Sequence, residues 1–289
     1  MNLISQIKDK FNKNKEKTII APEKEIMQFD AVNMDINNTC NQRCRFCFSS
    51  FWDKPVNMDV DTFKRMIEVL PLVRDYAGGG YGFYLSCIYE PTINPNFLQC
   101  LSLLPEIAKR KCFFTTNLVR PMDEEYIESM ISANVGLINI SIESLDSDRF
   151  EYITQNKKFH HYKNNLGMLE EILKNKEDIP QFRFITMLLE ENSDEIIDLI
   201  KYCQKHFPII SHEIRTPYIS VYDNMKWNES QLMSKDKVDK LTEEIKSLGY
   251  PVDMDIKSVD DLEIMDDISK NHLLKRYNVI FMKRPGKDF

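Results

Sequence analysis

Between residues 31 and 218 the chain alternates, six times over, between a short β-branched or aromatic run and a stretch of helical periodicity. This alternation constrains the fold more than any other feature of the 289 residues. Successive strands separated by helices pair in parallel, because a parallel neighbour is reached only through a crossover of a dozen or more residues. The extended runs are residues 32–36, 82–86, 112–116, 137–142, 182–188 and 209–218. Phe63, Met66, Ile67 and Leu70 supply the i, i+3, i+4, i+7 face of the first helix. A second helical stretch, residues 97–110, is kinked at Pro105. Asp123-Glu124-Glu125 opens a third, with Gly136 closing it. Leu166, Leu169, Ile172 and Leu173 mark a fourth, and Asn192-Ser193-Asp194-Glu195 reads as a capping box for a fifth. The expected architecture is α/β, a partial (β/α)6 barrel of TIM-like type.

The flanks are different in kind. Residues 1–30 are rich in lysine and asparagine, and Leu3, Ile4, Ile7 and Phe11 fit one short amphipathic helix, read as a lid or packing helix. The tail holds one clear helix over residues 235–248 and short strands at 252–256 and 279–282. The division expected is therefore an N-terminal helical extension (1–30), a core barrel (31–223) and a short C-terminal α/β extension (224–289) that packs on or caps the barrel. A formal net charge of −7 argues against a nucleic-acid-binding surface. No apolar run approaches the ~20 residues that span a bilayer, and the N-terminus lacks the apolar core of a signal peptide. A cytoplasmic location follows as the expectation, and clustered thiols there read as ligands rather than disulfides.

The clustered thiols are Cys40, Cys44 and Cys47, spaced C-x3-C-x2-C with Phe46 before the last. They follow the first strand directly, which places them at the C-terminal end of the sheet, where α/β folds gather their ligands. Three soft donors on one short loop suit a metal or an iron–sulfur cluster. A structural zinc site remains open on spacing alone, but it usually takes a second Cys or His pair, and His160-His161 is the only histidine cluster. Cys87, Cys100, Cys112 and Cys203 stand apart and read as small hydrophobes.

The run from Cys40 to Cys47 resembles the C-x3-C-x-Φ-C signature of the radical S-adenosylmethionine (radical SAM) enzymes. Later stations are similar to the family's in the same order. Ser86-Cys87-Ile88-Tyr89-Glu90-Pro91 resembles the loop that meets the amino group of SAM, with Cys87 and Tyr89 in place of glycines. Thr115-Thr116-Asn117 resembles T-N-G, with Leu118 where glycine is common. Ser141-Ile142-Glu143 resembles S-x-D, with Glu143 for the aspartate. The fifth strand carries Arg183 as a basic SAM contact. The closest branch is the one containing SPASM/twitch and molybdenum-cofactor-synthesis enzymes. No cysteine follows Cys203, so the chain as given is expected to lack an auxiliary cluster.

The resemblance implies that Cys40, Cys44 and Cys47 hold a [4Fe–4S] cluster whose fourth iron binds SAM. Phe46, Glu90, Thr116, Asn117, Ser141, Glu143 and Arg183 become the SAM-side residues. It implies reductive cleavage of SAM to a 5′-deoxyadenosyl radical and hydrogen abstraction from a peptide or a sugar-like small molecule, an oxidoreductase or transferase chemistry. A flavodoxin- or ferredoxin-type reductant is the implied partner. Glu213, Arg215 and Tyr218, at the end of the sixth strand, are the substrate-side candidates. The alternatives are a catalytically silent binding partner of the same fold and a structural metal or cluster module.

Overall fold

A computed structural model describes residues 32–47, 54–68, 82–86, 88–217 and 226–261. The expected N-terminal helix, the strand at 279–282 and the turn at Gly78–Gly80 lie outside the described residues. Seven strands form one sheet in the order β1 to β7, and every neighbouring pair is parallel. They are β1 (Val32–Asn33), β2 (Phe83–Tyr84), β3 (Cys112–Thr116), β4 (Leu137–Ser141), β5 (Gln181–Met187), β6 (Ile209–Arg215) and β7 (Val252–Asp255). β1 and β7 are the two edges, so the sheet curves without closing. The architecture is the partial barrel that the alternation predicts. The tail contributes more than a cap, because β7 pairs in register with β6, from His212 against Val252 to Arg215 against Asp255.

The helices are α1 (Val60–Ile67), α2 (Phe97–Leu103), α3 (Glu106–Lys109), α4 (Glu124–Ser132), α5 (Ser147–Thr154), α6 (Phe159–Lys174), α7 (Ile196–His206), α8 (Lys226–Ser230) and α9 (Lys235–Ser247). Asp59, Asp123 and Asp146 cap α1, α4 and α5 by accepting from Thr62, Tyr126 and Arg149 N–H groups at 2.7, 2.8 and 2.9 Å. Pro105 splits the second helical stretch into α2 and α3, as the kink predicts.

Two expected punctuation marks are corrected. The positive φ after α4 is taken by Asn134 (φ 50) and not by Gly136, whose N–H is bonded to Lys109 O. Asn192 does not cap the helix that follows it. Its buried amide bonds Glu143 O and Met187 O at 2.9 and 3.0 Å and accepts from Leu189 N, which closes a 3-10 turn at Glu190–Asn192. The reason is burial: an enclosed amide goes where its donors and acceptors are all met.

The strands divide their side chains cleanly. Phe83, Phe114, Ile138, Ile140, Phe182, Phe184 and Ile214 belong to the buried core beneath the helices. There Phe97 meets Phe114 edge-on at 5.1 Å and Phe150 stacks on Tyr162 at 5.2 Å. Full burial of one such ring stabilises the fold by ~2–3 kcal/mol. Cys100, Cys112 and Cys203 lie in this core as small hydrophobes, and burial pushes their thiols up. The alternate residues face the other, concave side, and on β4 to β7 they are mostly polar or charged. Asn139 and Ser141 lie beside Arg183 and Ile185, then Ser211, Glu213 and Arg215, then Asp253 and Asp255. A closed barrel fills that space with Val, Ile and Leu. This one is built wet.

Candidate functional site

The cysteine loop leaves the C-terminal end of β1 and is held on two sides. On one side it caps a helix. The last turn of α5 has unsatisfied carbonyls, as every helix C-terminus does. Arg45 N donates to Ile153 O at 2.9 Å, Arg43 N to Thr154 O at 3.1 Å, and Arg45 Nε to Tyr152 O at 2.8 Å. Gln155, in the left-handed conformation (φ 50), ends the helix there. Asn156 then donates from Nδ2 to Asn41 O at 2.6 Å. On the other side Asn117, just past β3, donates from Nδ2 to Asn41 Oδ1 at 2.7 Å and to Cys40 Sγ at 3.5 Å.

The three thiols share this loop without sharing one point. Cys40 Sγ accepts from Gln42 N at 3.4 Å, and Cys44 Sγ donates to Gln42 Oε1 at 3.4 Å. Burial pushes the Cys40 thiol up to about 12, with the nearby Glu90 carboxylate adding to it, and drives Cys44 well above its usual range, with Glu143 adding. Thiols left to the protein alone would stay protonated. A cationic metal centre reverses that, since coordination favours the thiolate. Among the described residues no three Cys, His, Asp or Glu side chains converge as they would on a single ion. Ligands to a cluster attach to different irons and have no need to converge. The donor set fits a cluster.

Glu90 is the second anchor. It is 3% exposed. Its Oε1 accepts from Thr92 N, Thr92 Oγ1 and Thr116 Oγ1 at 3.2, 2.6 and 2.8 Å, and its Oε2 from Asn117 N at 2.6 Å. Burial pushes its carboxyl up while these donors pull it back. The carboxylate thus ties the end of β2 to the end of β3, and its own carbonyl accepts from Asn37 Nδ2 at 2.7 Å. Thr116, Asn117, Glu90 and Cys40 form one continuous hydrogen-bonded set. Leu118 follows it at φ 55, the conformation glycine usually supplies, with its side chain fully buried. Asn165 on α6 clamps this turn by donating to Leu118 O and Arg120 O at 2.8 and 2.7 Å.

Glu143 sits past β4, 6% exposed, with Oε2 accepting from Met187 N at 2.9 Å. Burial raises its carboxyl to about 8, against the pull of that N–H and of Arg215. Ser141 is half-buried, and its carbonyl accepts from Tyr162 Oη at 3.1 Å. Phe46 is half-buried within the loop, its carbonyl accepting from Asn228 Nδ2 of α8 at 3.2 Å.

Arg183, Glu213 and Arg215 form a separate set on the concave face. Arg183 Nε donates to Asn139 Oδ1 at 3.0 Å, and Asn139 Nδ2 to Thr115 Oγ1 at 3.3 Å. Arg183 Nη1 pairs with Glu213 Oε2 at 3.1 Å, and Arg215 pairs with Glu213 Oε1. One carboxylate is held between two guanidinium groups, at the upper edge of a polar floor. Tyr218 lies outside the described residues, as does Cys87.

Sequence reasoning missed several residues that build this site. Asp35 Oδ1 accepts from Ile88 N and Tyr89 N at 3.0 and 3.3 Å and so fixes the loop that leads to Glu90. Asn37, Asn94, Asn139 and Asn156 act in the same way, each bonded to residues far along the chain. The available signal was the run of polar residues at strand ends, too general to name them singly.

The sequence pattern of the family described as the radical SAM superfamily matches residues 34–203, more than half of the chain. Among curated proteins, a GTP 3′,8-cyclase of Mannheimia succiniciproducens is 26% identical over 179 residues, covering 62% of this chain and 50% of that protein. A GTP 3′,8-cyclase of Klebsiella pneumoniae is 28% identical over 134 residues, covering 46% of this chain and 40% of the relative. The chain spans about half the length of the curated relatives it matches. Among solved structures, Streptococcus suis SuiB bound to its precursor peptide SuiA superposes with a TM-score of 0.58 at 13% identity, covering 80% of this chain and 49% of SuiB. HydG, a maturase of the [FeFe]-hydrogenase, gives 0.51 at 12% identity, covering 77% and 51%. At such identities the likeness is one of fold.

Proposed function

The chain belongs to the radical SAM superfamily, and from that premise we propose that it is an enzyme that cleaves SAM reductively and abstracts hydrogen from a polar substrate held on the concave face. The family's cofactors are a [4Fe–4S] cluster and SAM. When bound, they supply a 5′-deoxyadenosyl radical after transfer of one electron. Every other part of the chemistry falls to the chain's own residues.

In this reading Cys40, Cys44 and Cys47 are the cluster ligands, and Asn117 steadies Cys40 through its amide. Glu90 holds the SAM-side loop in place while its neighbourhood receives the amino group. Thr116, Ser141 and Glu143 line the strand ends beyond it, and Phe46 packs at the loop's rim. Arg183 supports this wall through Asn139 and joins Glu213 and Arg215 as the substrate side. The observation that carries the proposal is one juxtaposition. Three thiols stand on a doubly anchored loop at the C-terminal end of β1, in a sheet whose concave face is charged where a closed barrel would be apolar.

The substrate class follows from that floor. Paired Arg and Glu side chains exclude water poorly but orient hydrogen-bonding groups well, which suits a peptide or a sugar-like molecule better than a lipid. The relatives point both ways, since the cyclases are named for GTP and SuiB was solved with a precursor peptide. A flavodoxin- or ferredoxin-type reductant supplies the electron, and the reducing cytoplasm is the fitting compartment. Among the described residues no helix is long and apolar enough to cross a membrane. Residues 1–30, 31–223 and 224–289 remain our proposed division, with β7 of the last segment completing the sheet edge.

The test is metal analysis with spectroscopy. Anaerobically reconstituted protein should hold about four irons and four sulfides per chain, and its reduced electron paramagnetic resonance signal should shift when SAM is added. Cys44→Ala should lose the cluster. Full iron content in that variant would sink the ligand assignment.

A further inference from the structure

The chain is acidic overall, with a net charge of −7, yet the two segments that meet behind the cysteine loop carry no carboxylate. Residues 36–52 contain Arg43 and Arg45 and no Asp or Glu. Residues 152–169 contain Lys157, Lys158 and Lys163, with His160 and His161, and again no Asp or Glu. The fold brings these segments together. Arg43 and Arg45 lie on the last turn of α5 through their backbone N–H groups, and Asn156 bonds both Asn41 O and Lys158 N, at 2.6 and 2.8 Å. Arg43, Lys157 and Lys158 are exposed. Arg45 lies over the ring of Tyr152 at 4.2 Å, and that ring is itself 41% exposed.

We infer that this basic face, formed by Arg43, Arg45, Lys157 and Lys158 around the exposed ring of Tyr152, is the docking surface for an acidic one-electron carrier protein. The inference rests on the radical SAM reading, which requires an electron from outside the chain. Electron transfer weakens steeply with distance, so the carrier must dock where the thiol loop is nearest the surface. That place is here, with Arg43 and Arg45 flanking Cys44 in sequence. Charge of one sign concentrated beside a redox centre steers an oppositely charged partner and raises its association rate. An exposed aromatic within the basic rim is the usual anchor of such a transient contact. One electron leaves the carrier, whose flavin or iron–sulfur centre is oxidised, and one electron enters the cluster.

The experiment compares two reductants on the full chain with its cluster reconstituted. Stopped-flow bleaching of the cluster is followed with reduced flavodoxin and, separately, with dithionite, which needs no docking. With flavodoxin the rate should fall steeply as salt rises from ~50 mM to ~500 mM, because the Debye length shrinks. Lys157→Glu/Lys158→Glu should slow reduction by flavodoxin roughly tenfold or more, and Lys157→Arg/Lys158→Arg should restore it. Reduction by dithionite and dithionite-driven SAM cleavage should not change in either variant. A flavodoxin rate indifferent to salt and to charge reversal would overturn the docking surface. So would loss of dithionite-driven SAM cleavage in the reversed variant, which would assign these lysines to the cofactor. Failure of the unmodified protein to cleave SAM with dithionite contradicts the radical SAM reading instead.

Discussion

Leu118 shows two residue-scale energies in competition. Its φ of 55 is a conformation that costs a non-glycine residue about 1–2 kcal/mol. Its side chain is fully buried, and deleting a buried leucine to a small residue costs roughly 3–5 kcal/mol through lost transfer energy and cavity. Packing wins. Leu118→Gly, which restores the residue common in the family at this place, should therefore destabilise the protein by about 1–3 kcal/mol in urea unfolding. A stabilised variant would mean that the turn, not the core contact, dominates here. Glu90 makes a related point about roles. Its two oxygens accept four hydrogen bonds from Thr92, Thr116 and Asn117, so its first work is to hold two strand ends at one height.

At the scale of elements, the cysteine loop is a cap. It completes the C-terminus of α5 as much as α5 completes it, and Asn156 locks the pair. Asn156→Ala removes bonds to Asn41 O and Lys158 N and should lower stability by about 1–2 kcal/mol. Iron retained per chain after gel filtration should fall as well, while far-ultraviolet circular dichroism stays unchanged. Unaltered iron content would show that the loop needs no such lock.

The strands and most helices were legible because their signals are local and periodic. β3, α4 and α9 lie where alternation, an aspartate cap and a helical face put them. The thiol loop was legible for the same reason, its spacing being contained in eight residues. What escaped was the work of single polar side chains. Asn37 meets Glu90 across 53 positions and Asn139 meets Arg183 across 44. Nothing local in the sequence announces such a pair. Asn192 misled for a complementary reason: it satisfies the local grammar of a cap, but burial and the ends of β4 and β5 outbid the helix.

At the scale of the whole molecule, the sheet separates two chemistries. Its convex side is a packed apolar core, broken by one histidine. His212 is 1% exposed, with Nε2 at 2.8 Å from Thr186 Oγ1, whose hydroxyl donates to Ile142 O. That network puts the ring proton on Nε2 and leaves Nδ1 with no hydrogen-bond partner. Burial lowers the ring to about 3. The unfolded chain takes up this proton near pH 6.5 and the folded chain does not, so stability is full above about 6.5 and is lost as pH falls toward 3. Urea unfolding at pH 5 against pH 7.5 should show about 2 kcal/mol less stability from this group, a difference that His212→Leu abolishes while leaving the contribution of Glu143 in place. Equal pH dependence in the two proteins would contradict the assignment.

The concave side carries the charged floor, the anchored thiols and the proposed reaction. Its central claim is that this chain directs one electron into SAM and so releases 5′-deoxyadenosine. The direct measurement is chromatography of a strictly anaerobic mixture of reconstituted protein, dithionite and SAM. The account predicts 5′-deoxyadenosine and methionine in equal amounts, absent when Cys40, Cys44 or Cys47 is changed to alanine. A protein with a spectroscopically verified [4Fe–4S] cluster and bound SAM that releases no 5′-deoxyadenosine would contradict it.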